Sequence, residues 1–271
     1  MKTQQSCIEK FITRLLAATT FALASFLPTV SAEGEPPLAR AAAAFEQGDL
    51  AAAESLLAPL AEAGQNDPGA LGLLAQVRLR QQRPGDAATL LERALAVDGG
   101  NARLHAALGQ ALSLQLPNAS LEEQPSLAMR MLQAFQTAVG IDPDLIEARV
   151  GLARYYTQAP EIAGGSRTRA EEQARFILQR VPWLGEAELG QIALHFDEPA
   201  RARDHLARAD ALRPGQAWLV ELRGHAAARL GDFAEARTHY EGALALDPAA
   251  ASVRRALQRL PAAEPDDSRN L

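Results

Sequence analysis

The chain has 271 residues, 48% of them hydrophobic but only 5% aromatic, with a formal net charge of −6. An acidic balance without basic clusters argues against nucleic acid and anionic membrane surfaces, because both recruit proteins through positive charge. Cys7 is the single cysteine and sits near the start, which excludes disulfides, zinc–thiolate centres and cysteine nucleophiles from the rest of the chain.

Residues 1–32 follow the order of a secretory signal. Lys2, Lys10 and Arg14 make a basic start, Leu15 to Leu27 is an apolar run of 13 residues, Pro28 breaks it, and Val30-Ser31-Ala32 supplies the small residues a signal peptidase reads. The run is shorter than the ~20 residues needed to span a bilayer. No cysteine follows it, so a lipid-anchored start is not expected. Cleavage after Ala32, release into the periplasm of a Gram-negative bacterium and no stable membrane insertion afterwards are the expectations. Removing Lys2, Lys10 and Arg14 from the 27 basic residues leaves 24, all arginine, against 32 acidic residues once Glu9 is removed from 33.

The rest of the chain, 33–260, reads as consecutive helix pairs. The first pair is predicted at Leu38–Gln47 and Leu50–Ala63, with Gly48-Asp49 as a turn that breaks one helix and caps the next. The second is predicted at Ala70–Gln82 and Asp86–Val97. Leu71, Leu74 and Ala75 in one helix, and Leu90, Leu91, Ala94 and Leu95 in the other, have the three- and four-residue spacings of a buried stripe. Asp98-Gly99-Gly100-Asn101 then ends that pair.

The third pair opens with Ala102–Leu114, and its second helix carries Phe135, Ala138 and the stop Ile141-Asp142-Pro143. Between them Gln115–Pro125 reads as a polar, proline-bounded exposed loop. The fourth pair begins with Leu145–Thr157, ending in Tyr155-Tyr156. A long turn, Ala159–Ser166, precedes a helix from Arg167 that stops at Val181-Pro182. The fifth pair is predicted at Gly185–Phe196 and Pro199–Leu212, and the sixth at Gln216–Leu230 and Phe233–Leu246. A last helix, Ala250–Leu260, sets Val253, Leu257 and Leu260 against Arg254, Arg255 and Arg259, as a solenoid cap requires. Residues 261–271 are proline-rich and acidic and are expected to be disordered.

These pairs repeat with a period of 34: Ala53 and Ala87, Ala202 and Ala236, and Pro214 and Pro248 are each 34 apart. The fullest copy, Ala217 to Ala250, carries Gly224, Leu230-Gly231-Asp232-Phe233, Ala236, Tyr240, Ala243 and Leu246-Asp247-Pro248. It resembles a tetratricopeptide repeat, although Arg223 stands where leucine is usual. The resemblance implies an all-α chain: an α-solenoid, a right-handed superhelix of about six helix pairs with a C-terminal capping helix. It also implies a binding surface rather than a catalyst, with Gly224 and Ala236 facing each other inside one pair.

In that family the first helices line a concave groove. Counting from the small residues Ala75, Gly109, Gly151, Gly190 and Gly224 selects Gln76, Arg80, Gln110, Ser113, Tyr155, Tyr156, Gln191, His195, His225 and Arg229 as groove residues. Amides, guanidinium forks and aromatic rings of this kind suit a protein or peptide ligand. Pro160, Gly164 and Gly165 mark the long turn after Tyr156 as a second candidate contact.

Chemistry is not expected. None of the five histidines lies four residues from another, so no metal pair shares a helical turn, and no metal or cofactor is expected. There is no glycine-rich phosphate loop with its lysine and no Gly-x-Ser-x-Gly elbow. The adjacent acids Glu122-Glu123 and Glu171-Glu172 read as solvated or dipole-favoured, not as acid–base partners. The reading is a non-enzymatic periplasmic adaptor or scaffold. The alternative is a solenoid that binds a small ligand or lipid for an uptake or envelope system, its inserted turns lining a closed pocket.

Overall fold

The computed structural model describes residues 36–62 and 66–261. The expected signal segment and all but the first residue of the expected tail lie outside them. Among the described residues, regular structure is wholly helical. The helices are α1 (Pro37–Glu46), α2 (Leu50–Glu62), α3 (Pro68–Arg80), α4 (Pro84–Val97), α5 (Ala102–Gln115), α6 (Gln124–Ile141), α7 (Ile146–Gln158), α8 (Arg167–Arg180), α9 (Pro182–His195), α10 (Pro199–Leu212), α11 (Ala217–Leu230), α12 (Phe233–Leu246) and α13 (Ala251–Gln258).

Local chemistry sets the helix starts. Pro37, Pro68, Pro84, Pro182 and Pro199 stand at first helical positions, where a missing N–H leaves no bond unmade. Asp67, Asn101, Ser166 and Asp232 each accept the amide of the third residue beyond, capping α3, α5, α8 and α12. Gly231 ends α11 at φ 82°, a left-handed conformation that a side chain disfavours.

Two boundaries correct the sequence reading. The helix from Arg167 does stop before Val181-Pro182, at Arg180, but Pro182 is itself the first residue of α9, which starts three residues before the expected Gly185. Proline serves either purpose, and its sequence signal is the same. The loop expected over Gln115–Pro125 is mostly ordered. Leu116–Asn118 forms a 3₁₀ turn, and α6 already begins at Gln124. Between them Ser120 and Glu123 exchange hydrogen bonds, with Glu123 Oε2 accepting from the Ser120 amide at 2.9 Å and from its hydroxyl at 2.7 Å.

The chain divides into two compact units, one ending at Leu152 and the other beginning at Ala153. In each, sequential helices pack on their neighbours, and glycines set how closely they cross. In the first unit the Phe135 ring of α6 lies between Gly109 and Gly151. A Cβ at Gly109 would stand 2.7 Å from the ring, and one at Gly151 2.4 Å from it. In the second unit Leu206 of α10 fills the space at Gly190, and Tyr240 of α12 the space at Gly224; each would meet an added Cβ at 2.6 Å.

The partner of Gly224 is thus Tyr240, not the expected Ala236. Ala236 is fully buried instead in a cluster with Ala227, Tyr240, Ala243 and Val253. A second cluster gathers Ala187, Leu194, Ala202, Leu206, Ala209, Leu219 and Leu222. A fully buried leucine such as Leu206 or Leu219 contributes about 1.5–3 kcal/mol relative to an exposed one.

Candidate interaction face on the first helices

In the first unit α3 and α5 border an open cleft of about 430 Å³. Gly72 keeps the two helices close, since a Cβ there would stand 2.9 Å from Leu104 Cδ2. Leu73 and Leu104 give the cleft apolar surface, and Gln76, Asp98, Asn101 and Arg103 give it polar groups. Asn101 is committed: its Oδ1 accepts from the Leu104 amide at 3.3 Å, and its Nδ2 donates to Asp98 Oδ2 at 2.9 Å. Gln76 and Arg103 are exposed, and neither makes a side-chain hydrogen bond or ion pair with the other described residues. The cleft therefore presents an amide and a guanidinium beside leucine surface. Gln110, the next groove candidate along, is partly buried, and its main-chain carbonyl accepts from the Ser113 hydroxyl at 2.7 Å.

Other groove candidates are turned to internal tasks. Arg80 stacks over the Phe45 ring, 4.1 Å from its centre, and reaches the Phe45 carbonyl at 3.5 Å. Arg229 donates to the Leu194 carbonyl and lies 3.6 Å from Asp197. Phe45 and Leu194 stand in the last turns of α1 and α9, where each carbonyl already accepts a backbone amide from just past the helix, Gly48 at 3.0 Å and Asp197 at 3.3 Å, and each arginine brings a further donor and a positive charge to that helix end.

Tyr155 and Tyr156 do not line an open face. They are only 4% and 6% exposed and meet edge to face, with ring centres 5.9 Å apart. The Tyr155 hydroxyl donates to the Ala163 carbonyl at 2.7 Å. Burial, and then the neighbouring Tyr156, pushes the Tyr155 phenol above its ordinary pKa. The Tyr155 hydroxyl braces the turn after α7, and that turn uses Pro160, Gly164 and Gly165 to hold its shape.

His225 sits between two groups: Nδ1 is 2.7 Å from the Tyr240 hydroxyl, and Nε2 is 3.4 Å from Glu221 Oε1. His195 keeps more solvent contact, yet partial burial and then the positive charge of Arg229 hold its pKa below the ordinary value. The folded state thus resists its protonation, so its share of stability falls as pH drops below about 6.5. Gln191 is partly buried and its Nε2 is enclosed with no hydrogen-bond partner among the described residues, as is Trp218 Nε1. An enclosed donor left unpaired costs about 1–3 kcal/mol.

The main polar pairing of the second unit escaped sequence reading. Arg154 of α7 grips Glu188 of α9 in a fork, with Nη2 to Oε1 at 2.7 Å and Nε to Oε1 and Oε2 at 3.1 and 3.3 Å. Glu188 is 1% exposed, and Glu221 of α11 is 4% exposed. A signal was present, since Arg154 and Glu188 are opposite charges 34 residues apart.

Comparison with known proteins fits this architecture. Residues 219–250 match the family profile described as the tetratricopeptide repeat. Cellulose synthase operon protein C of Xanthomonas axonopodis pv. citri (strain 306) is 31% identical over 241 residues, a match covering 84% of this chain. The chain spans only 15% of that relative's length. Among solved structures, the APC/C hetero-tetramer Cut9–Hcn1 superposes with a TM-score of 0.65 at 15% identity, covering 82% of this chain and 42% of that one. PilW, a widely conserved type IV pilus biogenesis factor, superposes with a TM-score of 0.63 at 15% identity, covering 82% of this chain and 96% of its own. The helix-pair order and the glycine crossings agree with the matched repeat: residues 219–250 are a tetratricopeptide repeat, in a chain that has the fold of the tetratricopeptide-repeat solenoids.

Proposed function

We propose that this chain is a non-enzymatic periplasmic adaptor that holds a protein or peptide in the groove of its first helices. The cleft between α3 and α5 carries the reading. It is open and mixed in character, and it leaves Gln76 and Arg103 without partners among the described residues. An amide beside a guanidinium and leucine surface matches the backbone, carboxylate and apolar side chain of a peptide. A lipid or small-ligand solenoid would instead call for an enclosed, apolar cavity. Two similar proteins, a cellulose synthase operon product and a pilus biogenesis factor, support an envelope setting. So does the signal-like order of residues 1–32.

The test uses the chain as bait on envelope extract of the producing bacterium, followed by calorimetry with the purified partner. Gln76→Ala with Arg103→Glu is expected to weaken binding at least tenfold while leaving the melting temperature unchanged. An unchanged affinity in that double variant sinks the assignment of the face. In the same cells, N-terminal sequencing is expected to start at Glu33, and an uncleaved cytoplasmic product sinks the assignment of the compartment.

A further inference from the structure

The start of α6 carries a row of apolar side chains that reads the same in both directions. α6 has 18 residues, whereas α4, α10 and α12 have 14. Phe135 of α6 and Tyr240 of α12 both fill a glycine crossing, and each stands six residues before the end of its helix, so the extra residues extend the start of α6. The approach to that start is already helical in sense: the Gln124 amide donates to the Ser120 carbonyl at 3.1 Å, and Glu123 Oε2 takes the Ser120 amide and hydroxyl. A spacing of four then sets Leu121, Pro125 and Met129 on one face, along about 12 Å. Leu121 is 80% exposed and Met129 70%, with Pro125 exposed between them. A single exposed leucine is ordinary, but a contiguous row marks a contact.

The charges beside the row are of opposite sign at its two ends. Glu122 is exposed and makes no side-chain hydrogen bond or ion pair with the other described residues. Arg130 is exposed as well, and only its Nη2 is engaged, by Glu92. We propose that this row is a two-fold contact between two copies of the chain. A two-fold interface must be complementary to itself. Antiparallel packing of two α6 starts about Pro125 meets that condition: Leu121 of each copy lies against Met129 of the other, and Glu122 of each comes within side-chain reach of Arg130 of the other. An anionic bilayer is a poor occupant, because Glu122 and Glu123 would be repelled by it. The row is small beside the roughly 800 Å² that each partner buries in a stable complex, so the dimer forms and parts with concentration. α6 is a second helix of its pair, and the candidate groove is lined by first helices. The inference is therefore independent of the adaptor reading.

The test is sedimentation equilibrium of the purified chain over about 1–300 μM, where a reversible dimer with a dissociation constant of about 10–100 μM is expected. Leu121→Glu and Met129→Glu should each raise that constant at least tenfold, and Leu121→Met less than threefold. Glu122→Arg should raise it severalfold, and Glu122→Arg with Arg130→Glu should return it to within threefold of the parent. All should melt like the parent, because these side chains are exposed. A parent that stays monomeric throughout the range refutes the contact, as does a dimer that Leu121→Glu leaves within twofold. A monomeric parent that co-sediments with phosphatidylglycerol vesicles, and loses them on Leu121→Glu, would assign the row to lipid and overturn the proposal. None of these failures touches the cleft between α3 and α5, which Gln76→Ala with Arg103→Glu tests separately.

Discussion

Replacing Gly109 by alanine inside a helix ordinarily stabilises a protein by about 1 kcal/mol, because alanine loses less backbone freedom on folding. At this position the sign should reverse. The added Cβ would lie 2.7 to 2.8 Å from three ring carbons of Phe135, whereas carbon atoms rest at about 3.5–4.0 Å. The ring has no retreat toward α7, since the Cβ position of Gly151 is already 2.4 Å from it. Overpacking of this kind costs about 1–3 kcal/mol, so the net effect of Gly109→Ala should lie between neutral and about 2 kcal/mol of destabilisation. Phe135→Ala alone should cost about 3–5 kcal/mol by leaving a cavity between α5, α6 and α7. In that background the clash is gone, and Gly109→Ala should become stabilising by about 1 kcal/mol. Urea unfolding of the four proteins, followed by circular dichroism, closes the cycle. An alanine at 109 that stabilises the Phe135 protein as much as the Phe135→Ala protein would refute the wedge.

Breaking the Arg154–Glu188 fork with Arg154→Met should cost about 3–5 kcal/mol by leaving a buried carboxylate alone, whereas Arg154→Met with Glu188→Leu should recover most of that loss; equal melting temperatures for single and double variants would contradict it. Tyrosinate absorbance in the ultraviolet should show a phase above the ordinary tyrosine range. That late phase belongs to Tyr155, and because its folded pKa is raised, its stabilising contribution is complete below about pH 10 and is lost as pH rises through the folded value. Tyr155→Phe should abolish the late phase, and a late phase that persists would assign it elsewhere.

The architecture was legible because three separate signals agreed along the chain. Small residues recur at fixed spacing, polar caps precede apolar stripes, and prolines or glycines fall where helices must begin or end. Pro199–Leu212 and Phe233–Leu246 match their expected bounds residue for residue. Boundaries failed where one residue type serves two purposes, as Pro182 does. The groove was less legible, for a physical reason. Spacing says which face of a helix a side chain leaves from, but a long side chain then chooses its own partner. Arg80 and Arg229 leave from the expected positions and bend to a neighbouring carbonyl. The insertion after Tyr156 adds a turn whose Ala163 carbonyl takes the Tyr155 hydroxyl, and periodicity carries no signal for that.

The backward reach of the arginines has a further consequence. Arg80 touches the carbonyl of Phe45, Arg93 donates to that of Ala61 at 2.8 Å, and Arg229 donates to that of Leu194. In each case the acceptor stands near the end of a helix 32 to 35 residues earlier in the chain. The array is therefore directional. A helix pair lost from the downstream side takes a donor and a positive charge away from the helix ends before it, while the loss does nothing comparable to the pair that follows. Duplication works the other way: a copied unit carries the lid for whatever precedes it, so the array can lengthen downstream without a fresh solution at each join.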